Sequence, residues 1–418
     1  MKLFKLTFLL MLTPMLLLAE GGSVYTRYAL GDLNYAYSAR RMAMGGLGLA
    51  MYDQNDIGTL NPAAWSRITL TRFNIGLNYN LYGLKDNTTS ANYSATQFSG
   101  FSLGIPVQKS YGISLVLGIT PYSNVMYDVT EAQSATLFPH SLYFEGNGGI
   151  SRSFLGLSYR LPFIFDIGAS IDYYIGNIDY ISGIDFSNHA ILNTEFLKTY
   201  KLSGVGGTFG IISDDLLQYV NSGSSSELRL AFSYTLSQKF DADTSLVVTT
   251  YSNTREEPAS GSSTDLATGK ATVEIPSRMG IGLSFILNKA YNFLVDYYTQ
   301  PWSQYKFTDQ KVDNLRDLNK ISFGLEYRNP DTRAAGFWEH VALRAGLSYE
   351  ETQYVIKGTE INQFSVMGGF SIPLDNVNTL DFGVEYAARG SNDNNLVKEN
   401  LVKLNLTLNL GELWFFRQ

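Results

Sequence analysis

Val402-Lys403-Leu404-Asn405-Leu406-Thr407-Leu408-Asn409-Leu410 places an apolar residue at every even position and a polar one at every odd position. Successive side chains of a strand point to opposite faces, so this segment is a strand that is apolar on one side and wet on the other. The same period recurs upstream. Leu380, Phe382, Val384 and Tyr386 alternate with Asp381, Gly383, Glu385 and Ala387, and Ile321, Phe323, Leu325 and Tyr327 with Ser322, Gly324, Glu326 and Arg328. Val341, Leu343, Ala345 and Leu347 do so with Ala342, Arg344, Gly346 and Ser348, and Met279, Ile281, Leu283 and Phe285 with Gly280, Gly282 and Ser284. One such strand suits a soluble sandwich. A chain built from them, behind an export signal, suggests a closed barrel in a bacterial outer membrane.

The export signal is residues 1–19. Lys2 and Lys5 precede an apolar run from Leu6 to Leu18, which is shorter than the roughly 20 residues a membrane helix needs. Cleavage after Ala19 and cleavage after Gly21 both remain open, because Leu17 is large for the first and Ala19 and Gly21 are small for the second. With no cysteine, the chain carries neither a lipid anchor on Cys nor a disulfide. The 38 Gly, 28 Tyr and 25 Phe with only 17% charged residues favour a barrel over two or three soluble domains. A net charge of −7 disfavours a nucleic-acid partner.

The period predicts an all-β, antiparallel transmembrane barrel of about 14 strands over residues 68–418. Strand 1 is expected near Ile68–Leu84. Short periplasmic links are expected near Val107–Lys109, Leu161–Ile164, Asn288–Ala290 and Leu374–Val377, with longer ones near Ser213–Ser225 and Asn329–Glu339. Outer loops are expected near Met126–Leu142, Asp185–Lys198 and Lys239–Ala271. Arg229, Glu326, Arg328, Arg344, Asp381, Glu385 and Lys403 fall on the face opposite the apolar one. A charge facing lipid at mid-depth costs roughly 2–4 kcal/mol, so that face is the lumen. The plainest role for these charges is to pair with one another and solvate the interior.

Residues 20–67 do not alternate. They are dense in small and apolar residues, including Ser38-Ala39-Arg40-Arg41-Met42-Ala43-Met44-Gly45-Gly46 and Asn61-Pro62-Ala63, the latter a turn signal. The segment is expected to pack inside the lumen as a hatch rather than trail as a periplasmic leader. Pro121 cannot donate to a ladder, and Gly118 lies close by, so β-pairing is expected either to break there, opening the wall to lipid, or to end above the membrane.

These two motifs resemble the N-terminal hatch of FadL-type outer-membrane transporters. The likeness continues through Ile119-Thr120-Pro121-Tyr122, Glu274-Ile275-Pro276-Ser277-Arg278-Met279-Gly280, Val295-Asp296-Tyr297-Tyr298, Phe323-Gly324-Leu325-Glu326-Tyr327-Arg328 and Leu343-Arg344-Ala345-Gly346. The resemblance implies fourteen strands and a lumenal hatch carrying Gly45, Gly46, Asn61, Pro62 and Ala63. It also implies a lateral gate at Gly118 and Pro121, and passive passage of long-chain fatty acids or hydrocarbons, with no cofactor and no metal. Outer-membrane lipids would surround the wall. The ending Trp414-Phe415-Phe416 looks like the signal by which such barrels engage the barrel assembly machinery, extended here by Arg417 and Gln418.

No enzyme is legible. His140, His189 and His340 are far apart and lie in or near connections, so they read as neither a metal site nor a triad. Asp53-Gln54-Asn55-Asp56 lacks the glycine and distal Glu of a calcium loop and reads as a cap or turn. Asp309, Asp313 and Asp317 share helical spacing as a solvated face. Two other readings stand beside transport. One is a barrel serving as a docking platform in protein export, as in relatives with a similar hatch, and the other is a general porin.

Overall fold

The computed structural model describes residues 21–412, apart from 135, 163, 189–190, 221–224, 253–257 and 331–335. The signal segment, His189 and Trp414–Phe416 lie outside the described residues. Fourteen antiparallel strands close into a barrel. They are β1 (Thr71–Lys85), β2 (Ser90–Gln108), β3 (Ile113–Gln133), β4 (His140–Arg160), β5 (Phe165–Phe186) and β6 (Asn193–Ser213). β7 has two pieces, Glu227–Thr235 and Gln238–Tyr251, as does β8, Pro258–Ile275 and Arg278–Leu287. β9 (Tyr291–Gln300), β10 (Leu318–Tyr327), β11 (Ala342–Ile356), β12 (Thr359–Pro373), β13 (Thr379–Arg389) and β14 (Lys398–Glu412) complete the wall. Closure is made by β14 on β1, in register from Lys398 opposite Lys85 to Glu412 opposite Thr71. This pairing joins the last strand to the first, so neither terminal strand is left as an edge in lipid.

The apolar face of each strand is the outer one. Leu77, Leu157, Ile171, Val205, Ile281, Phe323, Leu343 and Val384 are all exposed, while Arg229, Glu326, Arg344 and Asp381 are buried within. Along β10 burial and exposure alternate residue by residue. This apolar belt makes the protein an outer-membrane β-barrel. No helix among the described residues is long and apolar enough to cross a membrane.

Strand height is uneven. β9 and β10 have 10 residues each, the length that spans a bilayer, whereas β3, β4 and β6 have 21 and β5 has 22. The excess on β3–β6 is about 35 Å of strand length beyond that of β9 and β10, a smaller rise once strand tilt is allowed for. This corrects the expected outer loops. The ladder continues to Gln133 opposite His140 and from Tyr251 opposite Pro258 down to Gln238 opposite Ile275. Above the membrane both faces are wet, so the hydrophobic alternation fades while pairing persists. The expected periplasmic links match, with 3-10 turns Lys109–Tyr111, Leu216–Tyr219 and Phe337–His340 in three of them. In the link after β12, Asp375 accepts from Val377 N and Asn378 N, each at 2.8 Å, and these bonds hold its carboxyl below the usual range.

Asp309, Asp313 and Asp317 are all exposed, the solvated face expected, although their spacing belongs to no helix. Lys306–Phe307 pairs with Gln310–Lys311 around a two-residue turn in which Thr308 and Asp309 have positive φ. His140 begins an outer strand and His340 ends a periplasmic turn, at opposite ends of the barrel.

Candidate functional site

The chain before β1 lies against inward-facing side chains on nearly every strand. Its helix α1 (Ala39–Ala43) is capped by Ser38, and Gly46 N donates to Arg41 O at 3.0 Å to close its last turn. Gly45 and Gly46 have φ of +92° and +88°, a left-handed turn that favours glycine. α1 and this turn rest on a row of wall glycines. A Cβ at Gly324 would come 2.5 Å from Met44 O, at Gly346 2.4 Å from Gly45 N, and at Gly383 2.8 Å from Ala39 O. Gly324 faces Gly346 across β10 and β11, so the wall is flat where the backbone approaches.

Charges complete the seating. Glu326 accepts from Arg40 Nε and Nη2 at 2.9 and 2.8 Å, and from Arg344 Nε at 2.6 Å. Asp53 takes Arg40 at 2.8 Å and Arg328 at 3.2 Å. Arg41 binds Asp56 and donates to Gly48 O at 2.6 Å. The Asp53–Asp56 run is thus a turn whose carboxylates serve arginines. Asp296 on β9 accepts from the backbone N–H of Gly48 and Leu49 at 2.9 and 3.1 Å. Asp296→Ala would strand those two buried donors, and each stranded donor costs about 1–3 kcal/mol. A matching fall in thermal stability of the folded barrel is the expected result, and an unchanged midpoint would contradict this anchoring.

Asn61 sits under β6 and β7. Its amide donates to Leu49 O, Ile211 O and Phe232 O at 3.1, 3.3 and 3.4 Å, and its Oδ1 accepts from Ala63 N at 3.1 Å. Pro62 opens the 3-10 turn Pro62–Arg67, where its missing N–H is no loss. Trp65 of that turn stacks on Phe154, ring centroids 6.0 Å apart.

The wall itself is split between β2 and β3. Their pairing runs from Gln108 opposite Ile113 to Phe101 opposite Ile119 and stops. Beyond it β2 pairs only with β1, and β3 only with β4 among the barrel strands. Pro121 does not end β3. It lies two residues past the last pair, beside a register shift before Ser123. Gly118 lies just below the split, paired with Ser102, where a Cβ would come 2.5 Å from Phe101 O and 2.8 Å from the Phe154 ring. The N-terminal segment repairs the free edge of β3. Asp32 and Leu33 pair with Asn124 and Ser123, Asn34 N donates to Tyr122 O at 2.9 Å, and Thr26 Oγ1 accepts from Met126 N at 3.1 Å. On the β14 side, Arg389 bridges Glu399 at 2.7 Å and Asp32 at 2.8 Å, and Ser23 donates to Glu399 at 2.8 Å.

The expected site residues therefore occupy three places. Gly45 and Gly46 lie on β10, Asn61–Ala63 against β5–β7, and Gly118 and Pro121 at the split. The glycine row, Asp296 and Arg389 were missed. The signal for the first was present, since glycine recurs at lumen-facing positions of β8, β10, β11 and β13. The lumen holds cavities of about 20 Å3 beside Pro121 and about 100 Å3 around Lys320, Glu350 and Arg389, and a wider periplasmic mouth of about 750 Å3.

A family model named BamG matches residues 1–418. The chain belongs to the BamG family. This BamG-family barrel is similar in structure to the CymD monoaromatic hydrocarbon channel, at 17% identity over 92% of this chain and 100% of that one, TM-score 0.59. It is similar to the Ralstonia pickettii toluene transporter TbuX, at 16% identity over 91% and 99%, TM-score 0.59. A Pseudomonas aeruginosa FadL homologue superposes at 13% identity over 90% and 98%, TM-score 0.58. These likenesses establish the FadL-type fold. No curated protein matches the chain.

Proposed function

We propose that this BamG-family barrel is a channel, not an enzyme, that lets hydrophobic compounds cross the outer membrane by passive diffusion. Long-chain fatty acids or hydrocarbons are the substrate class. The observation that carries the reading is the split between β2 and β3 beyond Phe101 and Ile119. An unpaired edge at membrane depth is costly, and here it is patched by a separate segment of chain. In this reading residues 20–67 are the hatch, Gly118 and Pro121 border the lateral gate, and substrate leaves sideways once Asp32–Leu33 withdraws from β3. The hydrocarbon channels of like fold support it. Cleavage of the export signal and delivery by the barrel assembly machinery belong to the same proposal.

The protein has no cysteine, so one engineered pair can lock the gate. Leu33 and Ser123 are antiparallel partners, a spacing that suits a disulfide. The oxidised Leu33→Cys, Ser123→Cys protein is expected to reduce uptake of a radiolabelled long-chain fatty acid or toluene to that of cells lacking the barrel, with recovery on reduction. Undiminished uptake in the oxidised form counts against the gate.

A second reading, a docking platform in protein export, is favoured by the filled and polar lumen, whose interior cavities are about 20 and 100 Å3. A stoichiometric protein partner on gentle extraction, with no bound apolar compound, would favour it. The same filling disfavours a general porin.

A further inference from the structure

Three neighbouring strands change course at one level of the wall. β7 is interrupted at 236–237 and β8 at 276–277, and β9 passes into the 3-10 turn Trp302–Gln304. β6 meets this level at Gly207, whose carbonyl accepts from Leu236 N at 2.9 Å. Gln300 Nε2 donates to Pro276 O at 2.9 Å, so side chains stand in for the missing ladder.

Arg278 begins the lower piece of β8 and is buried. Its guanidinium lies over the Tyr122 ring, 5.4 Å from the centroid. Arg344 and Arg389, also buried on the wall, each have a carboxylate partner, and Arg72 bonds Asn55 and Val377 O instead. Arg278 forms no ion pair with a carboxylate among the described residues. Arg152 on β4 lines the same cavity; its Nε faces Asp172 Oδ1 at 3.5 Å without hydrogen-bond geometry, and its Nη2 donates to Thr59 O at 3.0 Å. Asp172 thus neutralises Arg152, and Arg278 is left with no carboxylate at ion-pair distance among the described residues. Tyr122 Oη, also buried and on the cavity wall, lies near the Gln300 amide but makes no bond of full hydrogen-bond geometry.

The cavity that these groups line is about 20 Å3. That is room for one water-sized occupant and excludes an organic head group carrying a chain. A water would satisfy the donors and leave the surplus positive charge buried, which is unfavourable. We propose that the cavity holds a small monovalent anion of halide size, bound by Arg278 and the Tyr122 hydroxyl, with the Arg152 guanidinium on the same wall. The anion ties β3, just past the split, to the break in β8. This site stands apart from the transport reading and survives its failure.

Bromide is the probe. Crystals of the full barrel grown in sodium bromide should give an anomalous peak in this cavity, between Arg278 and Tyr122. Arg278→Gln should lack the peak, and Tyr122→Phe, which keeps the packing, should weaken it. In parallel, the thermal midpoint of the wild-type barrel should rise saturably as chloride replaces gluconate at constant ionic strength, as linkage requires for a ligand of the folded state. The slope should vanish in Arg278→Gln. Well-diffracting wild-type crystals with no bromide in the cavity overturn the site, as does a midpoint indifferent to the exchange.

Discussion

Glu326→Gln lowers the stability of the barrel by about 3–5 kcal/mol, the cost of removing one member of a buried charge cluster. Glu326 is 4% exposed and lies among three arginines, Arg40 and Arg344 within 2.9 Å and Arg328 at 3.2 Å. Asp53 and Asp381 are the other carboxylates of the cluster, with Asp381 3.9 Å from Arg344. Three cations against three anions become three against two, and Arg40 and Arg344, both buried, carry the surplus. The amide keeps the size of the side chain, so packing loss is small and the change reads electrostatics. Heat-dependent mobility of the folded barrel on denaturing gels, or calorimetry in detergent, measures it. Arg40 belongs to α1 and Glu326 to the wall, so the pair also seats the N-terminal segment. Arg40→Met with Glu326→Gln should recover part of the loss, because the surplus cation is gone. Strictly additive losses would mean that the two residues do not act as a pair.

Gly346→Leu displaces α1 and the turn after it. A Cβ at Gly346 alone would meet Gly45 N at 2.4 Å and Ala43 O at 2.8 Å, both backbone atoms that no side-chain rotation can clear. The outward face of β11 is unchanged, so the barrel keeps its ladder to β10 and β12. Overpacking costs about 1–3 kcal/mol, which here falls on the segment inside, not on the wall. The expected outcome is an open lumen, seen as stable ion conductance in planar bilayers from a variant whose wild-type parent is closed. New protease cleavage within 38–50 should accompany it. A Gly346→Leu barrel that folds, stays non-conducting and resists cleavage would show that the segment is not seated on the glycine row.

Much of the architecture was legible beforehand. The period of two at Val402–Leu410 and Ile321–Tyr327 identified strands, and the side that carries Arg229, Glu326 and Asp381 identified the lumen. The heights of β3–β8 were not legible. Their outer halves, such as Thr264–Lys270, have two wet faces and so lose the contrast on which the period depends. Asp309, Asp313 and Asp317 are solvated as expected, but their four-residue spacing is not helical, and Asp309 sits in a tight hairpin turn. For the site, Gly45, Gly46 and Asn61–Ala63 stood out because their local backbone demands those residue types. Pro121 stood out because it has no N–H.

Sequence by itself determined the wall, its hand of polarity and the existence of a different segment before it. An apolar face against lipid and a wet face within are properties that each strand carries in its own order of residues. Only the tertiary structure decided where the wall splits and what fills it. Pairing between β2 and β3 ends at Phe101 and Ile119 through registers set by distant strands, and Leu33 reaches Ser123 across ninety positions of chain. Such contacts depend on which strands stand side by side once the barrel has closed. The partner of Arg40, nearly three hundred residues away at Glu326, and the missing carboxylate beside Arg278 are decided there too, because charges are matched in space and not along the chain.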